Sequence, residues 1–441
     1  MSHTVDPGSA QSPEAAAAVT HEDAGRLDSA SPGRLIAILV TLVLFSEFVP
    51  LQYTMVGVII PKIGGVLTDH FSWKSIFWFL LIYAVATIPL LTVVLPESPL
   101  RTRQRFDVIG AILFGAGIGG VLIYVSEGFN WGWGSMSCLA CLIAGVVLLV
   151  AFTLWENRIS YPMMNLSLLR APQVSMVMAV SLFATAAATL PQFILPYMFE
   201  TPKASALKAQ VLAGIAAKEH VPVSLVARFV SFRGDINYAA GFSVFQLAWH
   251  VIIFASASGM IFGPVGGLLA RRYGARLPLL LSGLAFLASF VLWSQFHEVW
   301  QQSAIIGVLW GMGFGLFYAS GPNLLMDAVP AYSMGIGAAM LAVFGSVGSS
   351  LATALATPIL SSHPFQLVAN PPGGKQIVMN IPQVYTDSGF AWVYLVIGGI
   401  VGLATLVIGY TLRSGREPAR GGAMAEVLAL DTTADTTAAE A

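Results

Sequence analysis

The feature that most constrains this sequence is a series of ten apolar segments. Each is close to the roughly 20 residues that a helix needs to cross about 30 Å of hydrocarbon. The ten predicted spans are 35–60, 75–95, 108–126, 137–155, 173–197, 242–269, 277–293, 302–320, 335–360 and 389–412. The chain is 56% hydrophobic and 10% charged, with a mean hydropathy of +0.77, whereas soluble domains carry about 25% charged residues. The sequence therefore predicts an all-α membrane protein, a polytopic helical bundle with about ten transmembrane helices.

The composition and the motifs argue against several classes of function. A net charge of −1 does not provide the basic face that a nucleic-acid partner requires. The sequence contains no phosphate-binding Gly-x-x-x-x-Gly-Lys-Ser/Thr loop, so any pumping would draw on an ion gradient, and no His-Glu-x-x-His pattern of a metalloenzyme. Cys138 and Cys141 lie in an apolar run, which favours packing over a metal or redox pair. We expect no enzyme activity, no metal and no cofactor.

The placement of Lys and Arg predicts the orientation, because cytoplasmic loops hold the excess of these residues. The arginines follow the second, fourth, sixth and tenth spans: Arg101, Arg103, Arg105, Arg158, Arg170, Arg271, Arg272, Arg276, Arg413, Arg416 and Arg420. The intervening loops at 126–137 and 294–302 carry Trp residues and no Lys or Arg. Residues 1–34 and 413–441 have the composition of disordered tails. Both termini are then cytoplasmic in a multi-pass protein of the inner or plasma membrane.

One long loop departs from this charge pattern. Residues 199–241 contain five Lys or Arg residues, yet the alternation of spans places them outside, and long loops cross membranes largely regardless of charge. The stretch "ALKAQVLAGIAAKEH" has the apolar spacing of an amphipathic surface helix. We interpret 199–241 as an external loop that contains such a helix.

Small residues at spacings of four predict where spans pack closely, because helices in lipid associate through such stripes. Gly307, Gly311 and Gly315 form one stripe, Gly259, Gly263 and Gly267 form another, and Gly345 and Ser349 begin a third. These stripes predict a tightly packed bundle and no particular function.

Glu47 is a carboxylate inside the first predicted span, where a charge costs roughly 2.5 to 3.5 kcal/mol and usually faces a bundle interior or a wet cavity. Proton coupling needs such a group, since burial raises the pKa of a carboxylate toward the useful range. Glu47 is the first candidate for proton coupling. The alternative is a protonated Glu that forms an interhelical hydrogen bond.

His250 is a second candidate for proton coupling, because it lies in the sixth span and a neutral imidazole can relay a proton. An ordinary interhelical hydrogen bond is the alternative. Polar or aromatic side chains suited to a path for lipophilic cations are Gln52, Tyr53, Gln192, Gln246 and Trp249. For each of these five, ordinary packing is the alternative.

Four segments together carry a family resemblance. They are "GGVLTDHFSWKSIFWFLL" (64–81), "RFDVIGAILFGAGIGGVLIYVSEGFNWGWGS" (105–135), "WENRISYPMMNLSLLRAP" (155–172) and "GFGLFYASGPNLLMDAVPAYSMGIGAA" (313–339). The sequence resembles the fourteen-helix drug/proton antiporters of the major facilitator superfamily over most of residues 35–412. In the first span, Gln52 stands where the family has an aspartate, and Glu47 lies five residues earlier. The motif Gly267, Arg271, Arg272, Gly274, Arg276 looks like the second-half copy of the superfamily's cytoplasmic loop, with Arg271 at the expected Asp.

The resemblance implies a secondary active transporter that exports small lipophilic or cationic compounds by alternating access. The chain passes from a likeness of the first helix to the loop before the sixth, without a counterpart of helices two to five, which predicts an incomplete major-facilitator fold. The implied partners are a small-molecule substrate, a proton and the lipid bilayer. A second copy of the chain, in a homo-oligomer, could complete the cavity. The alternative function is a transport-inactive remnant or a regulatory membrane protein.

Overall fold

A computed structural model describes residues 74–94, 107–159, 162–330, 333–370 and 375–416. The helices are α1 (Lys74–Val94), α2 (Val108–Trp131), α3 (Met136–Glu156), α4 (Leu166–Leu169), α5 (Pro172–Phe199), α6 (Ala204–Glu219), α7 (Val223–Phe229), α8 (Val244–Leu247), α9 (Ile253–Tyr273), α10 (Arg276–Gln295), α11 (Trp300–Ala328), α12 (Met334–Ser361), α13 (Asp387–Trp392) and α14 (Gly399–Thr411). The strands are β1 (Val230–Arg233), β2 (Pro364–Ala369) and β3 (Ile377–Tyr385). Two π-helical turns, Ala248–Ile252 and Val393–Gly398, join α8 to α9 and α13 to α14.

Helix α1 belongs to one compact unit, and the elements from α2 to α14 belong to another, which comprises Phe106–Arg420. Helix α1 overlaps the predicted span 75–95. The predicted span 35–60 and the tail 1–34 lie outside the described residues, as does the C-terminal tail beyond residue 416.

Eight helical segments in the described part of the chain are long and apolar enough to cross a membrane. They are Val108–Trp131, Met136–Glu156, Pro172–Phe199, Phe245–Tyr273, Arg276–Gln295, Trp300–Ala328, Met334–Ser361 and Asp387–Thr411. Each coincides with one of the last eight predicted spans. The prediction of an α-helical, multi-pass membrane protein is therefore confirmed.

Helix α5 lies at the centre of the larger unit, in contact with α11, α12 and α14. Helix α11 packs on its other sides against α9 and α10, and α10 also packs against α14. The core between these helices is aromatic, with Trp293 stacked on Tyr394 at a centroid distance of 5.3 Å. Helices α2 and α3 form a hairpin at the edge, which is attached to the bundle through α2 and α12.

The glycine stripes bring α9 and α11 together as predicted, with one exception. A Cβ atom at Gly311 would collide with the backbone of Ala255, and one at Gly315 would collide with the backbone of Gly259 and Gly263. A Cβ atom at Gly263 or at Gly267 would meet nothing within 4 Å, but the backbone of Gly263 faces Gly315. The prediction does not hold for Gly267, one turn further along α9.

Side-chain hydrogen bonds between helices satisfy polar groups buried in the bundle. Thr189 and Ser349 join α5 to α12 through hydroxyl groups 2.9 Å apart, and the Trp310 indole donates to the Ala187 carbonyl at 3.0 Å. The Ser282 hydroxyl donates to the Gly313 carbonyl at 2.8 Å. Because unsatisfied polar groups are costly in hydrocarbon, these bonds fix how the helices meet.

One end of the bundle is covered by residues 200–243, 362–370 and 375–386, which we call the cap. Its three strands form an antiparallel sheet in the order β1-β2-β3, with Val230 opposite Ala369 and Leu367 opposite Met379. Helix α6 lies within 199–241 and buries Leu207, while an external loop with an amphipathic surface helix stays a prediction. We call this end the cap end. The opposite end, which we call the arginine end, contains Arg158, Arg170, Arg271, Arg272, Arg276, Arg413 and Arg416.

The cap is tied to the last span. The buried Tyr238 hydroxyl donates to the Tyr385 carbonyl at 2.6 Å, and burial raises the pKa of Tyr238, which keeps the hydroxyl a neutral donor. The Asp387 N–H donates to the Asp235 carbonyl at 2.9 Å, and the Asn237 N–H donates to Asp387 Oδ2 at 3.1 Å. The two loops of the cap are thus fastened at the start of α13.

Candidate functional site

Three predicted site residues belong to the first span. Glu47, Gln52 and Tyr53 lie outside the described residues, so their roles in proton coupling and in the substrate path stay predictions.

His250 lies in the π-helical turn Ala248–Ile252 near the cap end of its span. Its Nδ1 is 2.8 Å from the Gln246 carbonyl, and because a carbonyl only accepts, Nδ1 carries the proton of this bond. The imidazole is 4.9 Å from the ring of Trp300, edge to face, and 5.1 Å from the ring of Phe242. The interhelical hydrogen bond expected as the alternative is not formed by Nδ1, whose partner is one turn away on its own helix.

Gln246 forms a capping box with Ser243 at the start of α8. The Gln246 N–H donates to Ser243 Oγ at 3.3 Å, and the Ser243 N–H donates to Gln246 Oε1 at 2.9 Å. This reciprocal pair satisfies backbone donors that a helix start leaves free. The structure thus gives Gln246 a capping role beside its predicted place in a substrate path.

Trp249 and Gln192 are the remaining predicted path residues. Trp249 is 61% exposed, and its ring stacks on that of Phe245 at 6.5 Å. Gln192 is exposed on α5, and its amide donates to the Ala188 carbonyl at 3.2 Å, four residues back. The structure therefore brings Gln246, Trp249 and His250 to one helix end, while Gln192 belongs to another helix.

The predicted loop motif lies at the arginine end. Gly274 ends α9 with φ of +87°, a conformation that favours glycine, while Arg271 and Arg272 are exposed. The Arg276 guanidinium donates to the carbonyl groups of Gly409 and Tyr410 at the C-terminal end of α14, where a helix favours positive charge. Arg276 thus fastens α10 to the last span.

An exposed face of small residues on α12 escaped the sequence analysis. Its members recur every three or four residues and are Gly335, Ala338, Ala339, Ala342, Ser346 and Ser350. We call this set the α12 open face. The hydroxyls of Ser346 and Ser350 donate to carbonyls four residues back, each at 2.9 Å. The neighbouring stripe of Gly345 and Ser349, which was predicted to pack, is the one that α5 covers. The spacing of the open face is visible in the sequence, but its exposure is not.

A buried polar cluster at the arginine end also escaped prediction, although its residues fall within the motifs of the family resemblance. Asp107 caps α2 by accepting from the Gly110 N–H at 2.9 Å, and the Trp155 indole donates to both of its carboxylate oxygens at 3.1 and 3.2 Å. Glu156 is 4% exposed and accepts the Met164 N–H at 3.0 Å. We call this cluster the hairpin clamp, because it joins α2 to α3 and to the following loop.

The described helices define a class: an α-helical, multi-pass membrane protein with small residues at its helix contacts. Two relatives align with about two thirds of the chain. Multidrug resistance protein Stp of Mycobacterium tuberculosis is 27% identical over 305 residues, 68% of this chain and 49% of that protein. The tetracenomycin C resistance and export protein of Streptomyces glaucescens is 24% identical over 309 residues, 69% of this chain and 50% of that protein. The chain spans about half the length of these relatives.

The name of a third relative includes the name of a transporter superfamily. The major facilitator superfamily multidrug transporter mfsC of Aspergillus fumigatus is 31% identical over 136 residues, 30% of this chain and 26% of that protein. No family model matches the sequence. The matches confirm the resemblance: this chain is similar to drug-efflux transporters of the major facilitator superfamily. The expected lack of a counterpart of helices two to five stays a prediction.

Proposed function

We propose that the chain is a secondary transporter that exports small lipophilic or cationic compounds by alternating access. The names of the relatives, which include multidrug resistance and export, support this function. The structural observation that best supports a transport function is the α12 open face. Two serines and four Gly or Ala residues on a membrane helix suit a wall of a polar path or a close helix contact, whereas a lipid-facing surface is built of larger apolar side chains.

The proposed orientation places the arginine end in the cytoplasm and the cap outside, with both termini cytoplasmic in the inner or plasma membrane. The positive-inside rule supports this orientation. Arg271 and Arg272 are exposed there, so their charges are available to interact with the cytoplasmic side.

Proton counterflow is the proposed source of energy, with Glu47 and His250 as the exchanging groups. The rings of Phe242 and Trp300 beside His250 support this role, because aromatic quadrupoles favour a cation next to them. The Nδ1 hydrogen bond to the Gln246 carbonyl holds the ring in one orientation. A second copy of the chain that faces the α12 open face across the path would supply the opposite wall.

The test is gradient-driven efflux of ethidium, a lipophilic cationic dye, from vesicles that contain the purified chain. The intact chain, Glu47→Gln, His250→Gln and the matched control His220→Gln, which changes an exposed cap histidine, are compared under the same imposed pH gradient. We expect efflux from the intact chain and the control, and loss of efflux from Glu47→Gln and His250→Gln. No gradient-dependent efflux from the intact chain would support the transport-inactive alternative, and equal efflux from Glu47→Gln would remove Glu47 from the mechanism.

A further inference from the structure

A cavity of about 450 Å³ lies on the flank of the larger unit, between α2, α5, α12 and the last span. Phe129 and Trp133 border it at the end of α2, Leu355 and Ile359 line it from α12, and Ile400 lines it from α14. Leu355 is 39% exposed and Ile400 is 58% exposed. The cavity therefore opens sideways, through apolar side chains that belong to membrane spans.

The lining has almost no means of orienting a polar ligand. Among the described residues that border the cavity, Ser362 carries the one hydroxyl group. That hydroxyl donates to the Ile359 carbonyl at 2.7 Å and lies 2.9 Å from His363 Nδ1. Binding sites for drug-like molecules combine an apolar lining with a few placed polar groups. This cavity has an apolar lining without such placed polar groups, and an apolar lining suits a hydrocarbon chain.

The cavity lies on the opposite side of α12 from the α12 open face. Leu355 follows Ser346 by nine residues, and Ile359 follows Ser350 by nine. Nine residues are two and a half turns of a helix with 3.6 residues per turn, so the members of each pair point in opposite directions. A ligand in the cavity is thus separated by the whole helix from the face that we assign to transport.

The cap end of the cavity coincides with the ends of two spans. Trp133 lies two residues after the end of α2, and Ser362 follows the end of α12. Tryptophan is typical of the membrane interface, where its ring contacts hydrocarbon and its N–H contacts polar groups. The cavity therefore runs from interface depth at Trp133 into the hydrocarbon beside Ile400.

We propose that this flank cavity is a binding site for the acyl chain of a membrane phospholipid, with the Trp133 indole at the level of the glycerol esters. A chain that leaves bulk lipid for the cavity loses no contact with water, so its preference for the site rests on packing against the four walls. The site holds a lipid of the leaflet at the cap end and does so without transport. It is independent of the proposed export.

The test uses the purified full chain in phosphatidylglycerol vesicles that contain a small fraction of phosphatidylglycerol with a diazirine on its acyl chain. After illumination, labelled peptides are mapped by mass spectrometry. We expect several-fold more adduct on the peptides that contain Leu355, Ile359 and Ile400 than on those that contain Ile143 or Met260, which are 61% and 78% exposed. Labelling in proportion to exposure alone would overturn the proposal.

A pair of variants on one helix separates occupancy of the cavity from general contact with lipid. Ile400→Trp places a larger ring in the opening of the cavity, whereas Val407→Trp makes the same change seven residues along α14, on the same side and outside the cavity. Val407 is 51% exposed. We expect Ile400→Trp to reduce the labelling of Leu355 and Ile359 several-fold and Val407→Trp to leave it unchanged. An equal loss of labelling in both variants would contradict the proposal that the lipid binds in the cavity.

A competition arm distinguishes a lipid from an exported compound. Ethidium is added in excess before illumination of the intact chain. We expect the labelling of Leu355 and Ile359 to be unchanged, because the described lining of the cavity offers no charged partner to a cationic dye and its one hydroxyl group already donates to the Ile359 carbonyl. Displacement of the lipid label by ethidium would overturn the assignment to an acyl chain and would make the cavity part of the substrate path.

Discussion

Helices α3 and α12 are both predicted spans, and both leave most of their surface uncovered, but they expose different residues. Helix α3 exposes large apolar side chains along one side: Ile143, Val147, Val150 and Leu154. Helix α12 exposes the Gly, Ala and Ser residues of its open face. Large branched side chains suit contact with lipid, whereas small and hydroxyl residues suit close approach of a helix or contact with water. The comparison shows that uncovered surface in this bundle is of two kinds.

The largest expected effect on membrane insertion comes from placing a charge on the lipid-facing side of α3 and on the α12 open face. Val147→Arg puts a guanidinium near the middle of the lipid-facing side of α3 and should cost roughly 2.5 to 3.5 kcal/mol of insertion free energy. Ser346→Arg, near the middle of α12, should cost clearly less, because its face meets a polar path. The yield of folded, full-length protein in the membrane measures both. Equal losses would show that the α12 open face is a lipid surface.

The second comparison is within α12, between its covered and its uncovered side. Gly348→Ala places a methyl group on the backbone of Leu182 in α5, and overpacking of this kind typically costs about 1 to 3 kcal/mol. In Gly335→Ala, the added methyl group meets nothing within 4 Å, and alanine has a higher helix propensity than glycine. We expect the melting temperature to fall in the first variant and to stay or rise in the second. A fall in both would mean that another chain covers the open face.

The third prediction concerns the contacts that hold the hairpin of α2 and α3 together. Trp155→Phe removes the indole N–H that donates to the buried Asp107. Hydrogen bonds to charged groups stabilise folded proteins by roughly 1.5 to 3 kcal/mol, and we expect a loss at the lower end of this range. Trp131→Phe changes an exposed tryptophan at the other end of α2 and serves as the control. We expect faster proteolysis of the 157–171 loop in Trp155→Phe alone. Unchanged protection would show that the hairpin is held by α12 without the hairpin clamp.

The smallest expected effect is at Glu200, between α5 and the cap. Burial raises the pKa of Glu200 above its ordinary value of 4.5, so the folded state binds this proton more tightly than the unfolded chain does. Its stabilising contribution is therefore present below pH 4.5 and is lost as the pH rises through the folded pKa. Glu200→Gln should raise the melting temperature at neutral pH and leave it unchanged at pH 4. The control Glu219→Gln, at an exposed residue of α6, should show no such pH dependence, and an equal response would assign the effect to net charge.

The spans were the most predictable part of the molecule. Nine of the ten predicted segments coincide with described helices, because crossing hydrocarbon demands a long apolar run that is visible residue by residue. The stripe at Gly311 and Gly315 was predictable for the same reason, since close helix contact demands small residues. The stripe that begins at Gly345 and Ser349 also lies against α5, as predicted. The exposure of the adjacent Ser346 was not predicted, because Gly345 and Ser346 are both small and only the position of α5 distinguishes them.

The candidate site and the cap were less predictable than the spans. Gln246 was expected in a substrate path and forms a capping box, since a glutamine three residues after a serine serves either purpose. The strands at 364–369 and 377–385 were not predicted, because the loops that form them lie more than 130 residues apart from β1 in the chain. A sheet assembled from distant loops leaves a weak local pattern, and its pairing is set by the helices that bring the loops together.

The order of residues is enough to identify this chain as a bundle of membrane helices similar to drug-efflux transporters. Both conclusions follow from local chemistry, because each spanning helix forms its own backbone hydrogen bonds and each motif consists of consecutive residues. The folded structure was needed to show which uncovered faces resemble lipid contacts, which resemble a path, and where the flank cavity lies. These properties depend on neighbours from distant parts of the chain, and the order of residues along one helix does not contain them.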